Sequence, residues 1–259
     1  MSLPPHNLRT FELSTHVKVI SRSKGHSATA AAAYRAGVCI TCERTGKKHD
    51  YSRRKGVVSV SIVFPEGNPV FSRQRLWGAC EARENRKNSR TAREWMFSLP
   101  FELSPAGRQR AVRRVARHLA ARHGVAVDCA IHAPPEGGDP RNHHAHLLMT
   151  TRRMEGGNLK SKTRELDDKA TGAQIVKEWR NLTAEILNRE IALEQEQQAV
   201  HVEHRSFADR GIDQEPTKHR GQGKRSRHGK LKAAFMRVAK FTKCALIQTK
   251  VCVRSALQI

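Results

Sequence analysis

Apolar and polar residues alternate along THVKVI, residues 15–20, with the two-residue period of a half-buried strand. The stretch that follows, SRSKGHSATAAAAYRAG, abandons that period. It reads as a basic loop, Ser27 as N-cap, an alanine-rich helix running through Tyr34 and Gly37 as the C-terminal stop, which sets Tyr34 late on a short helix. Alternation returns in GVVSVSIVF, residues 56–64, a second strand followed by a proline-glycine turn. Residues 73–90 read as a charged helix whose buried side is Leu76, Trp77, Ala79 and Cys80, and REWMFSLP as a third strand ended by Pro100. The segment SPAGRQRAVRRVARHLAARHG carries the clearest helix signals, with Ser104 as N-cap, Pro105 in the first helical position and Gly124 at the stop. VAVDCAIH and HHAHLLMTT are strands joined by APPEGGDPRN, a loop too rich in Pro and Gly for anything else, and they pair as an antiparallel hairpin. Residues 174–198 read as a long amphipathic helix with Ile175, Val176, Trp179, Leu182, Ile186 and Leu187 on its apolar side.

Composition narrows the function classes. A chain of 259 residues with 38% hydrophobic content can bury a real core. Its formal net charge of +24 calls for a polyanionic partner, either nucleic acid or an anionic membrane surface. No apolar run approaches the ~20 residues of a membrane span, and the first residues lack the apolar segment and cleavage site of a secretory signal. The expectation is a cytoplasmic protein without membrane insertion. Six scattered cysteines, Cys39, Cys42, Cys80, Cys129, Cys244 and Cys252, are too sparse for a disulfide scaffold and are expected to be reduced. Cys39 and Cys42 have the spacing of half a zinc site or a redox pair, but no second pair completes it. From Lys218 onward there are 12 Lys and Arg and no Asp or Glu, half of the net charge of +24. Such a block serves equally as a solvated extension or as a phosphate-binding arm.

The chemistry concentrates in NHHAHLLMTTR. Strand residues two apart share a face, so His144 and His146 project together while His143 and Ala145 face away. His132 closes the preceding strand, and the hairpin brings its imidazole beside the other two. A histidine taken singly from the 14 in this chain is most often a surface or satisfied residue. Three on adjacent strands make a three-ligand metal site with open positions for substrate. In a strongly basic protein such an ion suits phosphodiester chemistry, polarising a non-bridging oxygen as a nucleophile attacks in line. The chain offers two tyrosines, Tyr34 and Tyr51, each near an arginine, Arg35 and Arg53. A tyrosine on an alanine-rich helix is by default a packing residue, and sequence pattern alone leaves its role open.

Four segments in order, KVISRSKGHSATAAAAYRAG, RTGKKHDYSRRKGV, AIHAPPEGGDPRNHHAHLLMTTR and VEHRSFADRGIDQEPTKHRG, closely resemble the MobA/MobL (MobQ-type) relaxases of the HUH endonuclease class, from about residue 15 to about residue 221. The resemblance implies a relaxase domain over 15–221 and a basic tail over 222–259, and an α+β fold in which helices lie on one side of a central antiparallel sheet, similar to a ferredoxin-like or palm fold. It implies site- and strand-specific nicking of DNA at a plasmid origin of transfer through a 5′-phosphotyrosine link, later religated without ATP. Tyr34 stands at the family's nucleophile position, with Tyr51 the fallback, and His132, His144 and His146 at its metal positions, with Mn²⁺ or Mg²⁺ as the ion. Glu94 is expected to orient a ligand histidine or to accept the tyrosine proton. Arg22, Lys24, Arg35, Arg53, Arg54 and Lys55 are the candidate DNA contacts. Expected partners are single-stranded or hairpin DNA at the origin, accessory mobilisation proteins and a coupling protein.

The chain departs from the family pattern at two points in the site. His143 stands where relatives commonly carry proline before the histidine pair, and Met96 stands where they often carry a second acidic residue beyond Glu94. Larger relatives also continue into helicase or primase regions, which makes a shortened gene one reading of the basic tail. Two other functions fit part of the pattern. A non-catalytic DNA-binding homologue needs only the charge, and a nuclease of the same fold that uses water needs the histidines without Tyr34.

Overall fold

A computed structural model describes residues 9–194 and 200–214. In chain order the strands and helices are β1 (Arg9–Glu12), β2 (Thr15–Ser21), α1 (Ala28–Ala36), β3 (Cys39–Cys42), β4 (Lys47–Asp50), β5 (Val57–Val63), α2 (Arg73–Arg83), β6 (Arg90–Leu99), α3 (Pro105–His123), β7 (Val127–His132), β8 (His143–Thr150), β9 (Arg152–Glu155), β10 (Asn158–Lys162), α4 (Lys169–Glu194) and β11 (Val200–Glu203). All of them lie in one unit ending at Arg205; a second unit begins at Ser206, and its described part holds a single 3-10 turn, Ala208–Arg210.

The centre is a five-stranded sheet in the order β2-β6-β8-β7-β5, with every neighbouring pair antiparallel. Because side chains alternate along a strand, β6, β7 and β8 send one set of residues to each face. Trp95, Phe97, Leu99, Cys129, Ile131, Ala145, Leu147 and Met149 meet Val115 and Leu119 of α3 and Trp179 and Leu187 of α4 in one core. On the opposite face Ile20, Ala92 and Leu148 meet Ala28 and Ala32 of α1 and Leu76 and Trp77 of α2. The expected central antiparallel sheet is present, but helices cover both of its faces rather than one. The cause is legible in β7, whose six residues are all buried and therefore need cover on both sides. The small second core shares its face of the sheet with residues 94, 132, 144 and 146.

Several boundaries differ from the sequence reading. α2 stops at Arg83 because Glu84 turns to an extended conformation, where its carboxylate takes hydrogen bonds from Arg152 and Lys162, both 2.7 Å away. α4 starts at Lys169, earlier than 174, because the Asp168 carboxylate accepts from the backbone N–H groups of Ala170 and Thr171. Cys39 and Cys42 sit on a strand three residues apart, so one is exposed and the other buried, and they do not converge as a metal or redox pair. The β3–β4 and β9–β10 hairpins and the parallel β1–β11 pair were not anticipated. The expected helix end at 198, domain end at 221 and tail over 222–259 lie outside the described residues. Among the described residues no helix is long and apolar enough to cross a membrane.

Candidate metal and nucleophile site

Antiparallel pairing of β7 with β8 sets His132 directly opposite His144, and Ala130 opposite His146. The imidazoles accordingly converge on one sheet face, with ring centroids 4.5 Å apart for His132 and His146, 5.1 Å for His144 and His146 and 5.4 Å for His132 and His144. One nitrogen of each lies within 4.8 Å of the others, and among the described residues no other trio of His, Cys, Asp or Glu gathers this way. His143 faces the other way, toward the Arg108 guanidinium at 3.4 Å, and takes no part in the cluster.

Each ring is held by its remaining nitrogen. His146 Nδ1 is 2.7 Å from a carboxylate oxygen of Glu94, His144 Nδ1 is 3.1 Å from the Asn142 carbonyl, and His132 Nε2 is 2.7 Å from the Arg35 carbonyl. Those oxygens only accept, so the nitrogens facing them carry the protons. The lone pairs are left on Nε2 of His144 and His146 and on Nδ1 of His132. This is the arrangement in which outer acceptors fix the tautomer and orientation of metal-ligating histidines. Burial, joined by the charges of His146, Arg54 and His144, pushes the His132 imidazole down to about 4 against the support of the Arg35 carbonyl. Burial lowers His144 as well. Both rings are therefore neutral near pH 7 with lone pairs to give, and the cluster fits a divalent cation. An all-nitrogen donor set favours a first-row transition ion over oxygen-seeking Mg²⁺.

Behind the histidines stands a buried pair. Burial alone raises the Glu94 carboxyl, yet hydrogen bonds from His146 and Arg35 overcome it and hold the group at about 2. Arg35 grips both Glu94 oxygens with its guanidinium, while its own carbonyl orients His132. One residue thus secures two of the three imidazoles. Arg35 is buried, which removes it from the exposed DNA contacts expected of it and gives it a supporting role instead.

Tyr34 and Arg35 are neighbours on α1 with opposite fates: Arg35 turns into the site and the Tyr34 side chain remains 46% exposed. The helix that presents them is pinned at both ends. Ser27 accepts from the Ala30 N–H, the buried Glu81 carboxylate takes the Ala28 N–H at 2.6 Å, and Gly37 closes the helix at φ 64°. Arg54 lies across the Tyr34 ring with its guanidinium carbon 3.7 Å from the centroid, donates to the Tyr34 carbonyl and lies 3.5 Å from His132 Nδ1. Tyr51 meets the same ring edge-on at 5.2 Å.

The structure therefore brings Tyr34, Arg35, Arg54, Glu94, His132, His144 and His146 together. Arg22 does not join them: its guanidinium is turned inward, 2.8 Å from the Glu81 carboxylate, and it holds α2 rather than facing solvent. Lys24, Arg53 and Lys55 are exposed. Met96 lies opposite His146 in register, so the missing second acid would have faced this same site. Sequence reasoning missed the roles of Arg54 and Glu81. Neither sits in a spacing that marks it, because both act across the fold.

Comparison with known proteins places the chain in a family. The MobA/MobL family model matches residues 26–230. The mobilization protein MobL of Acidithiobacillus ferridurans is 40% identical over 79% of this chain and 60% of that protein. A probable mobilization protein MobA of Bifidobacterium longum is 30% identical, over 81% of this chain and 43% of that protein. The chain thus spans about half the length of these relatives. A solved structure from work on the molecular basis of vancomycin resistance transfer in Staphylococcus aureus superposes with a TM-score of 0.66 at 27% identity, over 76% of this chain and 100% of that one. On sequence and fold together, the chain belongs to the MobA/MobL family.

Proposed function

We propose that this chain is a metal-dependent DNA relaxase that cuts and rejoins one strand at a plasmid origin of transfer. The observation that carries the reading is the set of three imidazoles gathered on one sheet face, linked through Arg54 to an exposed tyrosine on the same face. Membership in a family whose relatives are mobilization proteins supports it.

In this reaction the Tyr34 hydroxyl oxygen attacks the scissile phosphorus. The new bond joins Tyr34 to the 5′ phosphate as the bond to the 3′ oxygen breaks; that oxygen leaves with the bonding pair and takes up a proton, while the phenol proton passes to solvent. Phosphodiester is exchanged for phosphodiester, so the reverse reaction reseals the strand. His132, His144 and His146 would hold the divalent ion, Mn²⁺ in preference to Mg²⁺. When bound there, the ion withdraws charge from a non-bridging phosphate oxygen. Glu94 keeps the proton on His146 Nδ1, and Arg35 keeps Glu94 ionised. Surface cations including Lys24, Arg53 and Lys55 serve the flanking phosphates. We assign the reaction to the bacterial cytoplasm, with origin DNA as substrate and accessory mobilisation and coupling proteins as partners.

The test is incubation with labelled single-stranded oligonucleotides spanning the origin of the parent plasmid, resolved on denaturing gels. A protein-linked DNA band is expected that requires both metal and Tyr34. Cleavage that persists in Tyr34→Phe without a linked band would make water the nucleophile, and binding without any cleavage would make the chain a DNA-binding homologue.

A further inference from the structure

Arg35 and Arg22 reach carboxylates in the interior. Arg54 does not: among the described residues no carboxylate lies within ion-pair distance of it, and its guanidinium meets the Tyr34 carbonyl, the Tyr34 ring and His132 instead. An un-neutralised, half-buried guanidinium is costly unless it meets an anion. Its position is also fixed. The turn that carries it is closed by the Arg54 N–H on the Tyr51 carbonyl at 2.9 Å, and is tied to the residue after the Gly37 stop of α1 through the Tyr51 N–H on the Val38 carbonyl and to the residue after His132 through the Ala133 N–H on the Gly56 carbonyl, 2.8 Å. From there its three groups divide the work. One nitrogen donates to the Tyr34 backbone, the guanidinium plane covers one face of the Tyr34 ring, and another nitrogen reaches the His132 edge of the imidazole cluster. Tyr51 meets the same ring edge-on, its centroid 5.2 Å away.

We propose that Arg54 is the positioning residue of the nucleophile: it clamps the Tyr34 ring beside the histidine cluster and supplies the cation that receives the phosphate Tyr34 attacks. The proposal rests on the reading of Tyr34 as nucleophile and adds to it a residue that acts on reaction rate rather than on DNA affinity. A planar guanidinium can stack on a ring and still present N–H groups to phosphate oxygens, whereas an ammonium is a point charge. Arg54→Lys is therefore expected to restore phosphate binding but not the ring clamp.

The experiment has two readouts. The chain has 2 tyrosines, so protein labelled with ¹³C in the tyrosine rings gives a spectrum assignable with Tyr51→Phe. With EDTA present, inorganic phosphate is expected to shift the Tyr34 ring signals of the unaltered chain, and this response is expected to vanish in Arg54→Met. Separately, single-turnover formation of the linked product at saturating oligonucleotide is expected to slow about 100-fold in Arg54→Met, with Kd for the oligonucleotide within about threefold and Arg54→Lys intermediate in rate. An unchanged rate and a Tyr34 signal that still answers phosphate in Arg54→Met would overturn the proposal, as would a loss confined to Kd, which would make Arg54 an ordinary backbone contact. If the unaltered chain forms no linked product yet its Tyr34 signal answers phosphate through Arg54, the clamp stands and the nicking reaction falls.

Discussion

At the scale of single residues the site depends on a relay in which each group fixes the next. Arg35 holds Glu94, Glu94 holds the proton of His146, and the Arg35 carbonyl holds the proton of His132. Glu94→Gln keeps the shape but loses the charge, leaving Arg35 buried and unpaired. Metal affinity, measured by titration calorimetry with Mn²⁺, is expected to fall 10- to 100-fold, the range for loss of an outer partner of a ligand histidine. Removing one member of a buried pair also costs about 3–5 kcal/mol, so a lower denaturation midpoint should accompany it. Acid acts on the same residues. The folded His132 imidazole titrates at about 4 and the unfolded one near its ordinary value, so between those pH values the unfolded chain binds more protons and stability falls as pH falls. Glu94, held at about 2, contributes stability that is present above the ordinary carboxylate range and lost below it. Thermal melts in EDTA should therefore show one decline from about pH 6.5 to 4 and a second below it. His132→Gln should flatten the first and Glu94→Gln the second.

At the scale of elements, what was legible in the sequence is what local chemistry decides. Ser27 and Gly37 bracket α1, and Ser104, Pro105 and Gly124 bracket α3, because caps and left-handed stops are properties of a few adjacent residues. The β7–β8 hairpin was legible for the same reason, and with it the convergence of His132 on His144 and His146. Pairing across long separations left no such trace. Glu94 is 52 residues from His146, 59 from Arg35, and Arg54 is 78 from His132. A basic residue looks the same in sequence whether it ends in solvent, as Arg53 does, or against a buried acid, as Arg22 and Arg35 do. The α1 caps give a direct test of how rigidly Tyr34 must be presented. At Gly37 a Cβ would meet a Val57 methyl at 3.2 Å in a backbone held at φ 64°, so Gly37→Ala is expected to cost about 1–3 kcal/mol. Ser27→Ala should cost about 1 kcal/mol. Both changes lie outside the histidine cluster, so chemical denaturation should record the loss while Mn²⁺ affinity stays within about twofold.

At the scale of the whole molecule, the charge of +24 is unevenly used. Glu81, Glu84, Glu94, Asp128 and Glu190 are buried and spend their charges on arginines and on Lys162 within the fold, Glu190 on Arg110 and Arg114 at the surface. Their acidity is withdrawn from the surface, where cations such as Lys24, Arg53 and Lys55 remain. The proposed function thus places binding to a strand and reaction with it on different parts of the protein. In the proposed reaction the histidine cluster would add one cation where the phosphate is cut, while many dispersed cations would hold the flanking backbone and displace its counterions. That division predicts a separation in measurement. Anisotropy titrations of a fluorescent origin oligonucleotide are expected to give a Kd that changes less than about fivefold between Mn²⁺ and EDTA, because one site contributes little to a contact set of about six phosphates. For such a set on a single strand, log affinity should fall with log salt at a slope of about −4, or ~300-fold between ~50 and ~200 mM. Linked-product formation should follow the opposite pattern, abolished by EDTA and, at saturating DNA, nearly indifferent to salt. A Kd that collapses with EDTA would mean that the metal holds the strand as well as activating it, and the separation of binding from chemistry would have to be abandoned.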